Sequence, residues 1–190
     1  MDGLALSRDQ AALLIIDVQA RLCAAMGDDR VARLTRNVGI LLEAARRMKM
    51  PIVVTQQYPR GLGPTVAPLE QALAEVMAGQ LHRFDKMEFS ACDAAAFAPL
   101  DEQLGPRQWI VAGMESHVCV YQTARGLAAR SASVHVVADA VLSRTGDNTA
   151  RGLALCERAG AIVTSTETVV FDLLGCAGGD DFKHLSRLIR

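Results

Sequence analysis

The chain has 190 residues, of which 51% are hydrophobic, so it can bury a full core and is short for two ordinary domains. We therefore predict a single domain over residues 1–190. Its 20 Lys and Arg residues nearly balance its 21 Asp and Glu residues, which gives a formal net charge of −1. Such a chain lacks the basic surface that neutralises a phosphate backbone, so we expect no nucleic-acid partner.

The sequence shows no basic stretch leading into an apolar run with a cleavage site, and no uninterrupted apolar run of about 18 residues. It has five cysteines, and no two of them form a Cys-x-x-Cys pair. An odd number of cysteines without such pairs is typical of reduced thiols in the cytoplasm. We therefore expect a cytoplasmic chain with no membrane partner.

The first half of the chain alternates strands with a helix. Residues 11–17 form an apolar run that ends in a carboxylate, which is typical of a strand buried on both faces. Apolar residues then recur at three- and four-residue spacing over residues 31–45, which predicts a helix that stops before Pro51. A second strand is predicted at residues 52–55, and the prolines and glycines of residues 58–64 predict a shaped loop.

The second half continues this alternation. A weak third strand at residues 82–86 precedes a helix at residues 93–104, for which Asp93 is the predicted N-cap. Later strands are predicted at residues 108–112, 134–138 and 161–164, and later helices at residues 116–130, 147–160 and 182–189. Six strands alternating with helices predict a three-layer α/β fold, with a doubly wound parallel sheet and helices on both faces.

Three reactive side chains follow predicted strands, at the edge of a doubly wound sheet where ligands bind. Asp17 ends the first strand, Lys86 ends the third, and Cys119 follows the fourth. If Ser116 is the N-cap of the next helix, Cys119 occupies its third position, where the helix dipole favours a thiolate. A nearby Lys86 ammonium would lower the thiol pKa further, so Cys119 is a candidate nucleophile.

The same edge offers groups for the other steps of an acyl transfer. Asp17 is placed to take the thiol proton and return it to a leaving group. The backbone N–H of Cys119 and one from residues 113–116 are candidate donors to an oxyanion. Taken singly, each residue has an ordinary explanation, as a capping carboxylate, a solvated charge or a buried thiol. Their joint placement favours a catalytic site.

Three segments of the sequence share a family pattern. Residues 14–19 read LIIDVQ, residues 86–90 read KMEFS, and residues 111–120 read VAGMESHVCV. With these segments in this order, the chain resembles the isochorismatase-like hydrolase superfamily, also called the cysteine hydrolases. The resemblance implies a six-stranded parallel sheet of order 3-2-1-4-5-6 with a catalytic triad at its switch point. That triad would consist of Asp17, Lys86 and Cys119.

The resemblance also implies a cis peptide bond that does not involve proline. By position this bond is Met114–Glu115, and its expected purpose is to aim the Glu115 N–H into an oxyanion hole shared with the Cys119 N–H. Homo-oligomers are common in the family, so we expect one here.

One departure from the family pattern, after the second strand, narrows the range of expected cofactors and substrates. Nicotinamidases of the superfamily bind a metal through an Asp-x-His after the second strand, where this chain reads Thr55-Gln56-Gln57. We therefore expect no metal and no cofactor. Isochorismatases proper do not need the cysteine, so Cys119 favours a small amide or related C–N or acyl substrate cleaved through a covalent thioester. The alternative is a catalytically reduced ligand-binding or redox-responsive protein on the same fold.

Several residues just beyond the predicted strand ends are candidates for contacting a small-molecule substrate. They are Gln19, Gln56, Tyr58, Phe84 and His117. Each could equally be a hydrogen-bond partner within a loop. Three other polar residues that follow late strands are predicted to be structural, and they are Asp139, Arg144 and Glu167.

The remaining cysteines fit a structural explanation better than Cys119 does. Cys156 lies on the apolar spacing of a predicted helix, and Cys23 and Cys92 lie in alanine-rich stretches. We predict that these three thiols are buried and inert. The sequence leaves Cys176 open, because it precedes a glycine-rich hinge before the last predicted helix.

Overall fold

A computed structural model describes residues 4–190, and its centre is a sheet of six parallel strands in the order β3-β2-β1-β4-β5-β6. The strands are β1 (Ala11–Ile16), β2 (Ile52–Gln57), β3 (Leu81–Lys86), β4 (Gln108–Met114), β5 (Ser133–Leu142) and β6 (Ile162–Thr164). Each hydrogen-bonded pair of strands is parallel. The predicted parallel sheet, its strand order and its α/β class are confirmed.

Helices cover both faces of this sheet. They are α1 (Ala20–Ala24), α2 (Asp28–Arg47), α3 (Pro59–Leu62), α4 (Ala67–Leu73), α5 (Phe97–Leu104), α6 (Tyr121–Ala128), α7 (Gly146–Arg158), α8 (Thr166–Leu174) and α9 (Gly179–Ile189). Among residues 4–190, no helix has both the length and the apolar character that crossing a membrane requires.

Strand β1 shows how the sheet separates two cores. All six of its residues are buried, so neither face of the strand meets solvent. Leu13 and Ile15 belong to a core that α2 and α8 complete, whereas Leu14 and Ile16 belong to a second core that α6 completes. Because side chains alternate across a strand, an unbroken apolar run fills both cores at once.

Helix α2 carries charges that suit its dipole at both ends. Asp28 and Asp29 lie in its first turn, and Arg46 and Arg47 lie in its last turn. The helix also holds the carboxyl-terminal helix in place, because Arg47 pairs with Asp181 at 2.8 Å. The sequence located this helix correctly but placed its start three residues late, since Gly27 at φ 83° ends the preceding turn.

The predicted N-cap at Asp93 is wrong. Residues Ala91–Asp93 form a short 3₁₀ turn, whose N-cap is Ser90, and the Ser90 hydroxyl accepts a hydrogen bond from the Cys92 N–H at 3.2 Å. Helix α5 begins only at Phe97, whose ring is fully buried 5.7 Å from that of Trp109. The capping hydrogen bond therefore belongs to the short turn, and the burial of Phe97 determines where α5 begins.

Strand β5 is longer than predicted and carries Asp139. The Asp139 carboxylate accepts hydrogen bonds from the Thr166 N–H at 2.8 Å and from the Thr166 hydroxyl at 2.9 Å, at the start of α8. Its own carbonyl accepts a hydrogen bond from Asn37 at 2.7 Å. Asp139 therefore joins β5 to two helices, in keeping with the structural role that the sequence predicts.

The three thiols that the sequence predicts to be structural are buried. They are Cys23, Cys92 and Cys156, and burial raises the pKa of each to about 11. Thiols with such pKa values are almost entirely protonated at neutral pH, so each would need an adjacent base to act as a nucleophile. Cys176 is exposed.

Candidate active site

Asp17 lies immediately after β1, at the carboxyl edge of the sheet, and its side chain is fully buried. Its backbone has a φ of 51°, and its N–H donates to the Thr55 carbonyl at 3.2 Å. The Thr55 hydroxyl donates to Asp17 Oδ1 at 2.7 Å. Gly113 on β4 has a φ of 120°, and a Cβ there would collide with the Ile16 carbonyl oxygen, so this close approach requires glycine.

Lys86 ends β3 and pairs with Asp17. Its Nζ lies 2.6 Å from Asp17 Oδ2, and neither side chain is exposed to solvent. The same ammonium donates to Gln57 Oε1 at 2.9 Å and to the carbonyls of Glu88 and Phe89 at 3.2 Å each. A buried cation with this many acceptors is fully satisfied, and it compensates the buried carboxylate.

Cys119 lies in a wide helical turn, Ser116–Val120, that joins β4 to α6. The Glu115 carbonyl accepts hydrogen bonds from the N–H groups of Val118 at 3.0 Å and Val120 at 3.2 Å. The Cys119 N–H, which lies between them, is not among the donors to that carbonyl. The Met114–Glu115 peptide bond is cis, at the position that the family resemblance implies.

The expected capping role of Ser116 is wrong. Glu115 holds the N-cap position with an extended backbone, Ser116 is the first residue of the turn, and Cys119 is the fourth. The Ser116 hydroxyl is buried and has no hydrogen-bond partner within residues 4–190. The sequence could not show this because β4 continues to Met114, two residues beyond its predicted end, and the turn begins directly after Glu115.

The expected lowering of the Cys119 pKa is also wrong. Burial raises the pKa of this thiol to about 12, and the charge of Asp17 together with a hydrogen bond to its carboxylate raises it as well. Lys86 and a backbone hydrogen bond from Glu115 act in the opposite direction without prevailing. The resting sulfur is therefore a protonated thiol.

Two residues that the sequence reasoning missed complete this arrangement. Thr55 fixes one oxygen of Asp17, and Gln57 accepts from Lys86 while donating to the Met87 carbonyl at 2.7 Å. They are two residues apart on β2 and therefore point to the same face of the sheet. Gln57 also pairs directly with Lys86 in the register of β2 with β3. The alternation of β2, counted from Thr55, is the signal that could have found Gln57.

Gln19 and Gln56, two of the predicted substrate contacts, use their amides within the protein. Gln19 is fully buried, donates to the carbonyls of Gln57 at 3.0 Å and Gly63 at 2.6 Å, and accepts from the Gln57 N–H at 2.8 Å. Gln56 accepts from the Thr65 N–H at 2.9 Å and donates to Asp85 at 3.2 Å. Both side chains hold the loop after β2 in place.

The other three predicted contacts lie in different surroundings. Tyr58 is exposed just after the end of β2, with a left-handed backbone at φ 37°. The Phe84 ring packs edge-on against Phe97, 6.4 Å between centroids, at the border of the second core. His117 is half-buried, and its Nδ1 lies 3.0 Å from the Ser143 hydroxyl.

A cavity of about 590 Å³ opens beyond the ends of β2 and β3. Its lining is mostly apolar, from Tyr58, Pro59, Met87 and residues 94–96, with Lys86 also in its wall and with Arg60, Asp85 and Glu88 as charged residues. Cavities of this size are typical of small-molecule sites. Within residues 4–190, no group of three or more His, Cys, Asp or Glu side chains could hold a metal ion.

The Glu115 carboxylate is bound by Arg144. Its Oε2 accepts from the Arg144 N–H at 3.0 Å and from Arg144 Nε at 3.3 Å, which ties the turn to the loop after β5. Arg144 therefore has the structural role that the sequence predicts. The Glu115 side chain is therefore engaged within the protein.

Comparison with known proteins matches these features to one family. The Isochorismatase domain matches residues 11–168. The chain belongs to the isochorismatase family. The secreted isochorismatase effector Isc1 of Phytophthora sojae is 37% identical over 151 residues, which cover 79% of this chain and 71% of that relative. Isochorismatase domain-containing protein 1 of Salmo salar is 37% identical over 150 residues, 79% of this chain and 51% of that relative, so the chain spans about half its length.

Solved structures of the isochorismatase-like fold agree closely with this chain. The MAR1 ribonuclease from Caenorhabditis elegans has a TM-score of 0.87 and 33% identity, covering 97% of this chain and 92% of that one. YcaC from Escherichia coli, an octameric hydrolase of unknown specificity, has a TM-score of 0.86 and 24% identity, covering 98% and 89%. YcaC from Pseudomonas aeruginosa with covalent acrylamide has a TM-score of 0.85 and 24% identity, covering 98% and 96%. Family membership supports a hydrolase.

Proposed function

We propose that this isochorismatase-family protein is a metal-independent cysteine hydrolase that cleaves a small amide, or a related C–N or acyl substrate, through a thioester on Cys119. One observation carries the proposal. The buried Asp17 carboxylate pairs with Lys86 at 2.6 Å, and both charges act on the pKa of the Cys119 thiol, which Asp17 raises and Lys86 lowers. This arrangement supports Cys119 as the nucleophile, Asp17 as the base, and Lys86 as the cation that holds the base in place.

The first half of the reaction follows from this geometry. The Cys119 Sγ–H proton moves to Asp17 as sulfur adds to the substrate carbonyl carbon, so an S–C bond forms and the carbonyl oxygen becomes an oxyanion. The N–H groups of Glu115 and Cys119 stabilise that oxyanion. The intermediate then collapses, the C–N bond breaks, and Asp17 returns the proton to the leaving nitrogen, which departs as an amine or ammonia.

The second half restores the enzyme. Water enters, Asp17 takes one of its protons, and the water oxygen adds to the thioester carbonyl carbon, which the same two N–H groups polarise. The second intermediate expels the sulfur as the C–S bond breaks, which releases a carboxylic acid. Asp17 returns its proton to the sulfur, so no net charge or proton is left on the protein.

The raised thiol pKa favours this mechanism over the redox-responsive alternative. An oxidisable sensor cysteine needs a substantial thiolate fraction at neutral pH, whereas burial and Asp17 raise the pKa of Cys119 to about 12. A thiol that gives its proton to an adjacent base only as a substrate arrives is suited to acyl transfer. We therefore propose the hydrolase as the function.

The names of the relatives define which substrates should be tried. A relative from Caenorhabditis elegans is named a ribonuclease, and a structural neighbour from Staphylococcus aureus is a nicotinamidase. The formal net charge of −1 gives RNA little general attraction to this chain. A screen should therefore contain primary amides including nicotinamide, carbamates, esters and a short RNA, and we expect turnover among the acyl compounds.

The test combines acylation with peptide mapping by mass spectrometry. The purified protein is treated with p-nitrophenyl acetate, and we expect Cys119 to be acetylated faster than the exposed Cys176 and the three other cysteines. Cys119→Ser should lose that adduct, and Asp17→Asn should release it by hydrolysis at least roughly 100-fold more slowly, since a positioned base contributes rate factors of that order. The control is Cys176→Ser, because Cys176 is the exposed thiol and its loss should leave acylation unchanged.

Two results would overturn the proposal. Acetylation spread over several cysteines would show that Cys119 is not activated by its surroundings. Turnover of RNA that survives in Cys119→Ser, with no turnover of any acyl compound, would assign a different reaction to the same fold.

Two further expectations belong with this function. The octameric neighbour supports a homo-oligomer, and sedimentation of the purified chain tests it. We keep the cytoplasm as the expected location, although one relative is named a secreted effector. Fractionation of the source cells, with the protein found only outside them, would contradict it.

A further inference from the structure

Helix α7 lies against the turn that carries Cys119, although the proposed mechanism uses none of its residues. Its buried residues are Gly152 and Cys156, one helical turn apart on the same face. The start of the helix is held firmly, because the Arg30 guanidinium donates to the carbonyls of Ser143 at 2.8 Å and Arg144 at 3.0 Å just before it. The buried face of α7 is therefore a fixed surface beside the turn that carries Cys119.

The contact between α7 and the turn depends on the absence of a side chain at Gly152. A Cβ at this position would lie 2.5 Å from the Ser116 carbonyl carbon, 2.6 Å from the His117 nitrogen and 2.6 Å from the Ser116 oxygen. All three are backbone atoms of one peptide group, which cannot rotate away as a side chain would. Any residue other than glycine must displace either α7 or this peptide.

The conformation of α7 itself does not call for glycine here. Gly152 lies inside the helix without a left-handed φ, and glycine is a poor helix former. Gly146 in the same helix offers the contrast, because a Cβ there would have no neighbour within 4 Å. Close approach to the turn is therefore the physical reason for glycine at residue 152.

The peptide that α7 contacts lies between the two proposed oxyanion donors. The Glu115 N–H precedes the Ser116–His117 peptide, and the Cys119 N–H follows it within the same wide turn. The Glu115 carbonyl, through Val118 and Val120, transmits any movement of the turn to the residues on either side of Cys119. A shift of the peptide by a few tenths of an ångström thus changes the relative placement of both donors.

We propose that Gly152 is a positioning residue, which lets α7 press on the Ser116–His117 peptide and so fixes the oxyanion donors of Glu115 and Cys119. This inference rests on the proposed function. It makes a specific prediction: disturbing the contact should slow reactions at Cys119 that pass through an oxyanion and spare those that do not.

The experiment compares two reagents on three proteins. p-Nitrophenyl acetate forms an oxyanion when sulfur attacks, whereas iodoacetamide alkylates the same sulfur by displacement without one. We expect Gly152→Ala to slow acetylation of Cys119 by roughly 100-fold, the order of loss seen for a misplaced reacting geometry. Its alkylation should stay close to that of the unchanged protein. Gly146→Ala, the matched control in α7, should leave both rates unchanged.

A second variant covers the case in which Gly152→Ala does not fold. Arg30→Ala removes the hydrogen bonds that hold the loop before α7, without adding volume beside the turn. It should slow acetylation by a smaller factor, about tenfold, and again spare alkylation, because a loosened α7 presses less firmly on the turn. Circular dichroism establishes that each variant is folded.

Each possible result decides the matter. Equal loss of acetylation and alkylation in Gly152→Ala would indicate general damage to the site, and unchanged rates in both variants would show that α7 does not position the donors; either result overturns the inference. If the unchanged protein is not acetylated at Cys119, the proposed function fails instead. A crystal structure of Gly152→Ala then tests the positioning role by itself. We expect the Ser116–His117 peptide to be displaced, and a turn that superposes on that of the unchanged protein would overturn the inference.

Discussion

The Lys86 ammonium lies 2.6 Å from the Asp17 carboxylate, and both side chains are completely shielded from solvent. Two charges in such surroundings depend on each other, because either one alone would be an uncompensated buried ion. Their pairing therefore serves stability as well as the proposed chemistry, and the two contributions can be measured separately.

Replacing Lys86 with Met should lower the free energy of unfolding by about 3–5 kcal/mol, because Asp17 would be left buried without a partner. The additional change Asp17→Asn should recover part of that loss. Urea denaturation of the single and double variants measures both effects. Arg83→Met is the control on the same strand, since its ion pair with Glu70 is exposed and should contribute less than about 1 kcal/mol. A loss at Lys86 no larger than at Arg83 would contradict the prediction.

Asp17→Asn should have opposite effects on alkylation and hydrolysis. Burial, then the charge and hydrogen bond of Asp17, raise the pKa of Cys119 to about 12, so alkylation by iodoacetamide should increase with pH up to that value. Removing the negative charge lowers the thiol pKa, which increases the thiolate fraction at pH about 8 and speeds alkylation. Hydrolysis should fall, because the base is gone.

The pH profile of alkylation, measured by mass spectrometry in a Cys176→Ser background, tests this prediction. This background removes the exposed thiol, so all the remaining cysteines are buried. Alkylation of Cys119 is then compared with alkylation of the three other buried thiols. Alkylation of Asp17→Asn that is slower than, or equal to, that of the parent at pH about 8 would contradict the assigned origin of the pKa shift.

The sequence predicted which strands end in reactive groups, because a parallel sheet collects its carboxyl ends at one edge. Asp17 and Lys86 meet for this reason, although they are far apart in the chain. The pKa of Cys119 was predicted with the wrong sign. Its value depends on burial and on the charge of Asp17 beside the sulfur, and neither is visible in the order of residues.

The residues around the triad illustrate a second limit. The sequence pattern favours Gln56 as a substrate contact and does not indicate Gln57. Neighbouring residues of a strand point to opposite faces, so the choice depends on the phase of β2 and on its register with β3. In the structure Gln57 pairs with Lys86 and bonds to it, whereas Gln56 holds Thr65 in the loop.

These placements predict different consequences for two adjacent glutamines. Gln57→Leu removes an acceptor from Lys86 and should slow turnover of p-nitrophenyl acetate by roughly 10- to 100-fold, because the base that Lys86 positions becomes less well fixed. Gln56→Leu should change the rate by less than about threefold, since it acts on the loop. Rates with p-nitrophenyl acetate, alongside thermal unfolding, separate the two. Equal losses in rate would contradict the assignment of Gln57 to the site.

Two buried serines provide a matched test of hydrogen-bond satisfaction near the site. The Ser90 hydroxyl accepts from the Cys92 N–H at 3.2 Å, whereas the Ser116 hydroxyl has no partner within residues 4–190. Removing a partnered hydroxyl leaves a buried donor unsatisfied, but removing an unpartnered one relieves a cost of about 1–3 kcal/mol. Ser90→Ala should therefore lower the free energy of unfolding by about 1 kcal/mol, and Ser116→Ala should leave it unchanged or raise it.

Urea denaturation of both variants measures this difference directly, because the two serines are buried to a similar degree. An alanine at residue 116 that destabilises the protein as much as one at residue 90 would mean that the Ser116 hydroxyl has a partner in solution. A bound water in the turn would be the natural candidate, since a buried polar group that keeps a water behaves as a satisfied one. Equal losses of unfolding free energy in the two variants would therefore indicate that a water molecule hydrates the turn at Ser116.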